Sequence, residues 1–466
     1  MPEVNKTLFA PVVPLANLHP SYEHLRSWPG AESARQMMDD VYQDFNDPDG
    51  NFLEQFQTTG FDARVFELYL FAYLTRSGFD VSRAHPNPDF IVERNGLRVA
   101  LEATTVNPPT SGAMSGVGKK LADLSEEEIH TYCKNELPIR FGSPLFSKLQ
   151  KRYWELEHCR GLPFVIAIEA FHDEESLALS DTALSSYVYG IEQAASWAGD
   201  GTLSVATATI QKHEVGSKAI PSGFFVQPGA ENVSAVVFTN SGTYPKFSRM
   251  GYQHGYACEK VSITRYGYCF NPEPSAMDPT LFSYNMDEPP LVESWAQGLV
   301  VLHNPRCQNP LPRDFFPGAV QGYIVDGQFR TDHVAWHPMS SKTIIMHMGD
   351  LKKELDKVAP LFRRRFAVAA ITKQEFQETF GIVHDKNPII DEQGWFGDET
   401  GSFLGVVHRD RVDNDWGYAV LARDRDFRFR WIHGECSMPS REKARAELQM
   451  QIARYLSSPK RIFEQK

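Results

Sequence analysis

The stretch Pro88-Asp89-Phe90-Ile91-Val92-Glu93-Arg94-Asn95-Gly96-Leu97-Arg98-Val99-Ala100-Leu101-Glu102-Ala103-Thr104 decides how this chain reads. Two apolar runs, each reading as a strand, flank Glu93-Arg94-Asn95-Gly96. Asn-Gly is a strong two-residue hairpin signal, because both residues tolerate the positive φ that such a turn demands. A hairpin closed there lays Asp89 and Glu102 on neighbouring strands. Ionised carboxylates are almost never fully buried without a partner. A divalent metal ion is one partner that tolerates both.

Upstream, the apolar spacing of residues 61–77 predicts a helix ended by Gly78, and 79–83 reads as a short strand. Downstream, 107–140 is rich in Pro, Gly, Ser and Glu and reads as an insertion. Ser143 as N-cap and Pro144 at the first helical position predict a helix over 143–157. The run 163–168 reads as a fully buried strand. The order from 61 to 170 is therefore helix, three strands, helix, strand. The fold class expected is α/β (α+β).

Residues 1–50 read as an N-terminal arm with one helix near 32–45, and 51–340 as the main domain. Within the main domain, 235–240 is a further core strand, and 172–340 elaborates the first fold. A small α+β domain is expected over 341–466, with helices near 350–361 and 373–380. It continues with strands at 403–408, 417–423 and 427–433, and a last helix capped by Ser440.

At 466 residues the chain is too long for one ordinary core. Its 42% hydrophobic and 23% charged residues are ordinary for a globular protein. No run approaches the roughly 18 apolar residues of a membrane span. The first residues lack a signal peptide's basic and apolar regions, and the six cysteines are scattered without a CxxC pair. Together these predict a cytoplasmic protein without a zinc cluster. A net charge of −12 argues against nonspecific coating of nucleic acid. It leaves room for a local basic patch, and two exist: Lys148, Lys151 and Arg152, and Arg363-Arg364-Arg365 behind Lys352, Lys353 and Lys357.

The element order, with Pro-Asp on one strand and Glu on the next, resembles the PD-(D/E)XK nuclease superfamily over roughly residues 60–170. The resemblance implies a restriction-endonuclease-like core and hydrolysis of DNA phosphodiester bonds with Mg2+, or Mn2+ in its place. It implies that Asp89 and Glu102 are metal ligands and catalytic groups, and that Glu67 is a third ligand from the first helix. On a helical wheel Asp62, Tyr69, Tyr73 and Arg76 define the polar face, and Glu67 falls on the buried face beside Phe71 and Leu74, where an ion pair with Arg64 is an equal reading. Where the family carries its lysine, two positions after the Glu, this chain has Thr104. A neighbouring element can supply that charge: the 143–157 helix has an apolar face of Leu145, Phe146, Leu149, Tyr153 and Leu156, and Lys148 sits on its border. Thr104, Lys151 and Arg152 are the expected substrate contacts. The role implied is DNA processing or prokaryotic defence.

Two rival readings keep the same residues. In one, a nuclease-fold protein without the motif lysine binds nucleic acid or partners and hydrolyses nothing. In the other, an unrelated α/β protein uses the acids structurally. Other motifs are weak. The run 115–120 lacks the GxxxxGK spacing of a phosphate loop, Asp413-Asn414-Asp415 reads as a turn, and the histidines show no ligand spacing.

Overall fold

In the computed structural model the chain divides into two units, Met1–Met348 and Gly349–Lys466. The structure describes residues 7–108, 123–197, 203–256, 260–273, 276, 279–347, 389–397, 403–409, 415–423 and 429–457. The run 115–120, the second basic patch, the helices expected at 350–361 and 373–380, and residues 413–414 lie outside them.

The first unit opens with helices α1 (Pro20–Ser27), α2 (Glu32–Gln43), α3 (Phe52–Gln57) and α4 (Phe61–Arg76). Strands β1 (Asp80–Ser82), β2 (Phe90–Arg94) and β3 (Leu97–Val106) follow, then α5 (Glu126–Thr131), α6 (Leu137–Gln150) and β4 (Phe164–Ala170). Next come α7 (Thr182–Tyr189), the hairpins β5 (Ile191–Trp197)/β6 (Leu203–Thr209) and β7 (Lys212–Val215)/β8 (Lys218–Pro221), and β9 (Ala235–Phe238). The unit closes with α8 (Tyr244–His254), β10 (Val261–Cys269), β11 (Thr280–Asn285), β12 (Val300–His303), β13 (Val320–Val325), β14 (Gln328–Asp332) and β15 (Pro338–His347).

Eight of these strands form one mixed sheet in the order β1-β2-β3-β4-β9-β12-β13-β14. Asn95 (φ 53°) and Gly96 (φ 77°) turn the β2/β3 hairpin. Its register sets Phe90 opposite Leu101 and Arg94 opposite Leu97. Strand β3 then runs parallel to β4, and β4 parallel to β9. Alternation sorts the two faces. Val99, Leu101, Val165 and Ala167 pack with α4 and the N-terminal helices, while Ala100, Phe164, Ile166 and Ile168 pack with α6 and α7. Helices on both faces make this a mixed α/β fold.

Three expectations need correction. Residues 7–45 are not a detached arm: Leu8, Tyr22, Leu25, Met38 and Phe45 are buried in the core that holds α4. The face of α4 expected to be polar is covered. Tyr69 and Tyr73 are buried, and their hydroxyls donate to the carbonyls of Trp295 at 2.8 Å and Pro317 at 3.1 Å. Lastly, the helix expected over 143–157 starts at Leu137 and ends at Gln150, with Pro144 inside it. Its true start lies upstream, where a capping box at Ser125 and a π-turn over Tyr132–Glu136 lead into it. Arg152 then adopts φ 50°, which stops the helix and turns the chain back to Tyr153.

A second sheet, β11-β10-β15, meets α8 through buried charges. Lys246 Nζ and Arg249 Nε reach Glu293 at 2.6 and 2.8 Å, and Arg265 Nη1 at 3.2 Å. All four side chains are almost wholly buried. Burial works to raise the pKa of Glu293, yet Arg249, Arg265 and Lys246 hold it well below the usual carboxylate range. Lys246 is pushed down to about 7, first by burial and also by the two arginines, against the pull of Glu293.

In the second unit β16 (Ile389–Gly397), β17 (Phe403–Arg409), β18 (Trp416–Arg423) and β19 (Phe429–Met438) form an antiparallel sheet, followed by α9 (Arg441–Ser457). Ala444, Leu448 and Ile452 of α9 pack on Val407, Tyr418 and Val420. No helix among the described residues is long and apolar enough to cross a membrane.

Candidate active site

The β2/β3 hairpin does for Asp89 and Glu102 what its turn requires. Phe90 pairs with Leu101, so Asp89, one residue before β2, comes to lie beside Glu102 of β3. Both side chains point to the α6 face, as the alternation of Ile91 and Ala100 onto that face dictates. Asp89 N–H donates to Glu102 Oε2 at 3.0 Å, and Ala103 N–H donates to Asp89 Oδ2 at 2.8 Å. Each acid is thus held by the backbone beside the other.

Lys148, in the last turn of α6, places Nζ 2.5 Å from Glu102 Oε1. Tyr153 OH donates to the same oxygen at 2.8 Å, from the chain that Arg152 turns back. Glu102 is only 3% exposed, so these two donors meet a largely dehydrated carboxylate, where charge-assisted hydrogen bonds are strongest. Thr104 lies on the same face, opposite Ile168 of β4. A positive charge thus reaches Glu102 from α6, while β3 itself presents Thr104 on that face.

Glu67 takes a different place. Arg64 pairs with its Oε2, and Arg83 Nη2 lies 2.6 Å from its Oε1. Burial raises its pKa, the charge of Asp89 adds to that, and Arg83 and Arg64 oppose both. It is held as the centre of a two-arginine ion pair, the reading the helical wheel allowed beside metal ligation. Arg83 links the two acids' surroundings: it also donates to the Asp89 carbonyl at 3.2 Å and to the Asn46 carbonyl at 2.7 Å, and lies over the Phe45 and Phe90 rings. Among the described residues no group of three or more His, Cys, Asp or Glu side chains gathers as a metal's ligands.

Of the expected substrate contacts, Lys151 is exposed at the end of α6. Arg152 is exposed and pairs with Glu155, which offsets its charge locally. Sequence reasoning placed Tyr153 among packing residues and overlooked Arg83. It also missed the stacked pair His85 and His158, 3.8 Å apart, where His158 Nε2 approaches the Asn87 carbonyl at 2.7 Å. Only tertiary proximity identifies these groups. The described cysteines are free thiols.

Burial and the neighbouring charge of Glu102 raise Asp89 to about 7, with Ala103 N–H, Lys148 and Arg83 pulling the other way. In an unfolded chain an Asp holds its proton only to about 4. Between those two values Asp89 holds its proton only in the folded state, so its contribution to stability falls as pH rises from about 4 to about 7. Thermal melts of metal-free protein across that window should show this decline, and Asp89→Asn should flatten it. An equally steep decline in the variant would assign the effect to other groups.

No family model, no curated protein and no solved structure matches this chain.

Proposed function

We propose that this chain is a metal-dependent nuclease of the PD-(D/E)XK kind, hydrolysing DNA phosphodiester bonds in the cytoplasm, in DNA processing or prokaryotic defence. One observation carries the reading: Lys148 Nζ stands at Glu102 Oε1 beside Asp89, although the strand position for the motif lysine is Thr104. The order α4, β1, β2, β3, α6, β4, with α5 in the connection from β3 to α6, supports a restriction-endonuclease-like core around it.

The residues fit a divalent cation. Two carboxylates lie side by side, Glu102 buried and Asp89 partly so, and burial together with the charge of Glu102 raises the pKa of Asp89. Magnesium is typically held by one or two carboxylates together with waters and substrate phosphate. Asp89 and Glu102 would hold it, and Mn2+ could replace it. When bound, such an ion lowers the pKa of a water and offsets charge on the reacting phosphate. The protein's share is positional. Backbone amides fix both carboxylates, Tyr153 fixes the rotamer of Glu102, and Lys148 supplies positive charge to a phosphate oxygen where charge develops. Lys151 contacts the DNA backbone from the end of α6.

The test is plasmid cleavage with Mg2+ or Mn2+. Lys148→Ala should lower the rate by roughly 100- to 1000-fold, the scale of losing one preorganised electrostatic group, with Lys148→Arg recovering part of it. Absence of cleavage by the wild type on double-stranded, single-stranded and RNA substrates would sink the enzyme reading. It would favour the second one, a nuclease-fold protein that binds nucleic acid or assembles with a partner. The observation on that side is that Lys148 and Tyr153 both already engage Glu102 Oε1.

A further inference from the structure

We propose that Lys148 is the resident counter-cation of the Asp89/Glu102 pair, and that it leaves Glu102 when a divalent cation binds. This rests on the metal-site reading above and states how the site is set. The donors on the two carboxylates differ in freedom. Both donors are main-chain groups held by the sheet: Ala103 N–H belongs to β3, which pairs with β4, and Asp89 N–H lies one residue before β2, so Glu102 Oε2 and Asp89 Oδ2 keep their partners. Tyr153 is buried against Phe164 and keeps its place by packing. Lys148 alone combines a flexible stem, a half-buried position at a helix end and an ion pair as its hold on the site.

A second cation drawn to Glu102 Oε1 meets the ammonium at contact distance, and like charges repel most strongly where water is scarce. The group able to yield is Lys148. In the absence of metal it offsets one of two adjacent negative charges. After displacement the same ammonium stands beside the site with its donors unspent, able to face a phosphate oxygen. One lysine thereby keeps the metal-free site closed to stray cations and arms the loaded one. A permanent structural ion pair would instead keep Lys148 on Glu102 in both states.

The experiment is amine acetylation of the full-length wild-type protein with and without saturating Mn2+, read residue by residue by mass spectrometry. Binding of Mn2+ is followed separately by electron paramagnetic resonance. Lys148 should react about 10-fold faster with Mn2+ bound, the factor expected for release from one charge-assisted hydrogen bond. Lys151, exposed three residues away, serves as the internal reference and should not change. In Asp89→Asn the Mn2+ effect should vanish, and Lys148→Met should bind Mn2+ more tightly than the wild type. Unchanged or slower reaction of Lys148 in protein that has bound Mn2+ overturns displacement and leaves the metal site standing. Failure of the wild type to bind Mn2+ at all overturns both.

Discussion

Asp89→Asn and Glu102→Gln should each lower plasmid cleavage by more than about 100-fold, since even groups that merely orient a metal ligand are worth 10- to 100-fold. Both substitutions keep shape and remove charge. The backbone hydrogen bonds of the hairpin do not depend on either charge, so unfolding midpoints should stay close to the wild type. Asp89→Asn also removes a carboxyl that is costly to ionise, and the metal-free variant should be no less stable at neutral pH. The pair of readouts separates function from folding. Identical residual cleavage in both variants and in the wild type would assign the activity to a contaminant, and the carboxylate pair would then be structural.

The largest effect on stability should come from a site with no part in that chemistry. Glu293→Ala leaves Lys246, Arg249 and Arg265 buried without their shared carboxylate. Breaking a buried pair by removing one partner costs about 3–5 kcal/mol, and here three cations lose the same partner. Lys246→Met should behave differently. Lys246 pays heavily for its burial, which is why its pKa falls to about 7, and an apolar side chain of similar length avoids that cost. Glu293 keeps Arg249 and Arg265 in this variant, so no buried charge is left without a partner, and it should stay close to the wild type. Urea unfolding followed by tryptophan fluorescence reads both, with Trp295 near the cluster as a reporter. Equal destabilisation by the two substitutions would show that shape, not charge, holds α8 to the second sheet.

The parts of this fold that were legible in the sequence are those whose signal is local. Asn95-Gly96 marked the hairpin because the turn itself demands positive φ, and both residues have it. Once the turn is fixed, period-two alternation sets the register and puts Asp89 next to Glu102. Gly78 closed α4 for a similar local reason. The helix start at Leu137 was not legible, because Ser143-Pro144 mimics an N-terminus and tertiary packing overrode it. The N-terminal stretch reads as an arm because nothing along the chain shows that the apolar side chains of residues 8–45 are buried in the core that holds α4. Tyr153 and Arg83 were hidden in another way. Each acts through a contact made across the fold, and no spacing along the chain announces it.

Arg83 carries a consequence for how this protein divides. Its Nε binds the Asn46 carbonyl, Asn46 Nδ2 returns a bond to the Arg83 carbonyl at 3.4 Å, and Arg83 Nη1 holds the Asp89 carbonyl. The strut that steadies Asp89 is therefore footed just beyond α2, well before the segment from α4 to β4 that carries the acids and Lys148. A fragment excised at the borders of that segment would retain Asp89, Glu102 and Lys148 and still lose the brace beneath them. In this chain the smallest piece that preserves the acid pair is set by an asparagine more than forty residues upstream of the first acid.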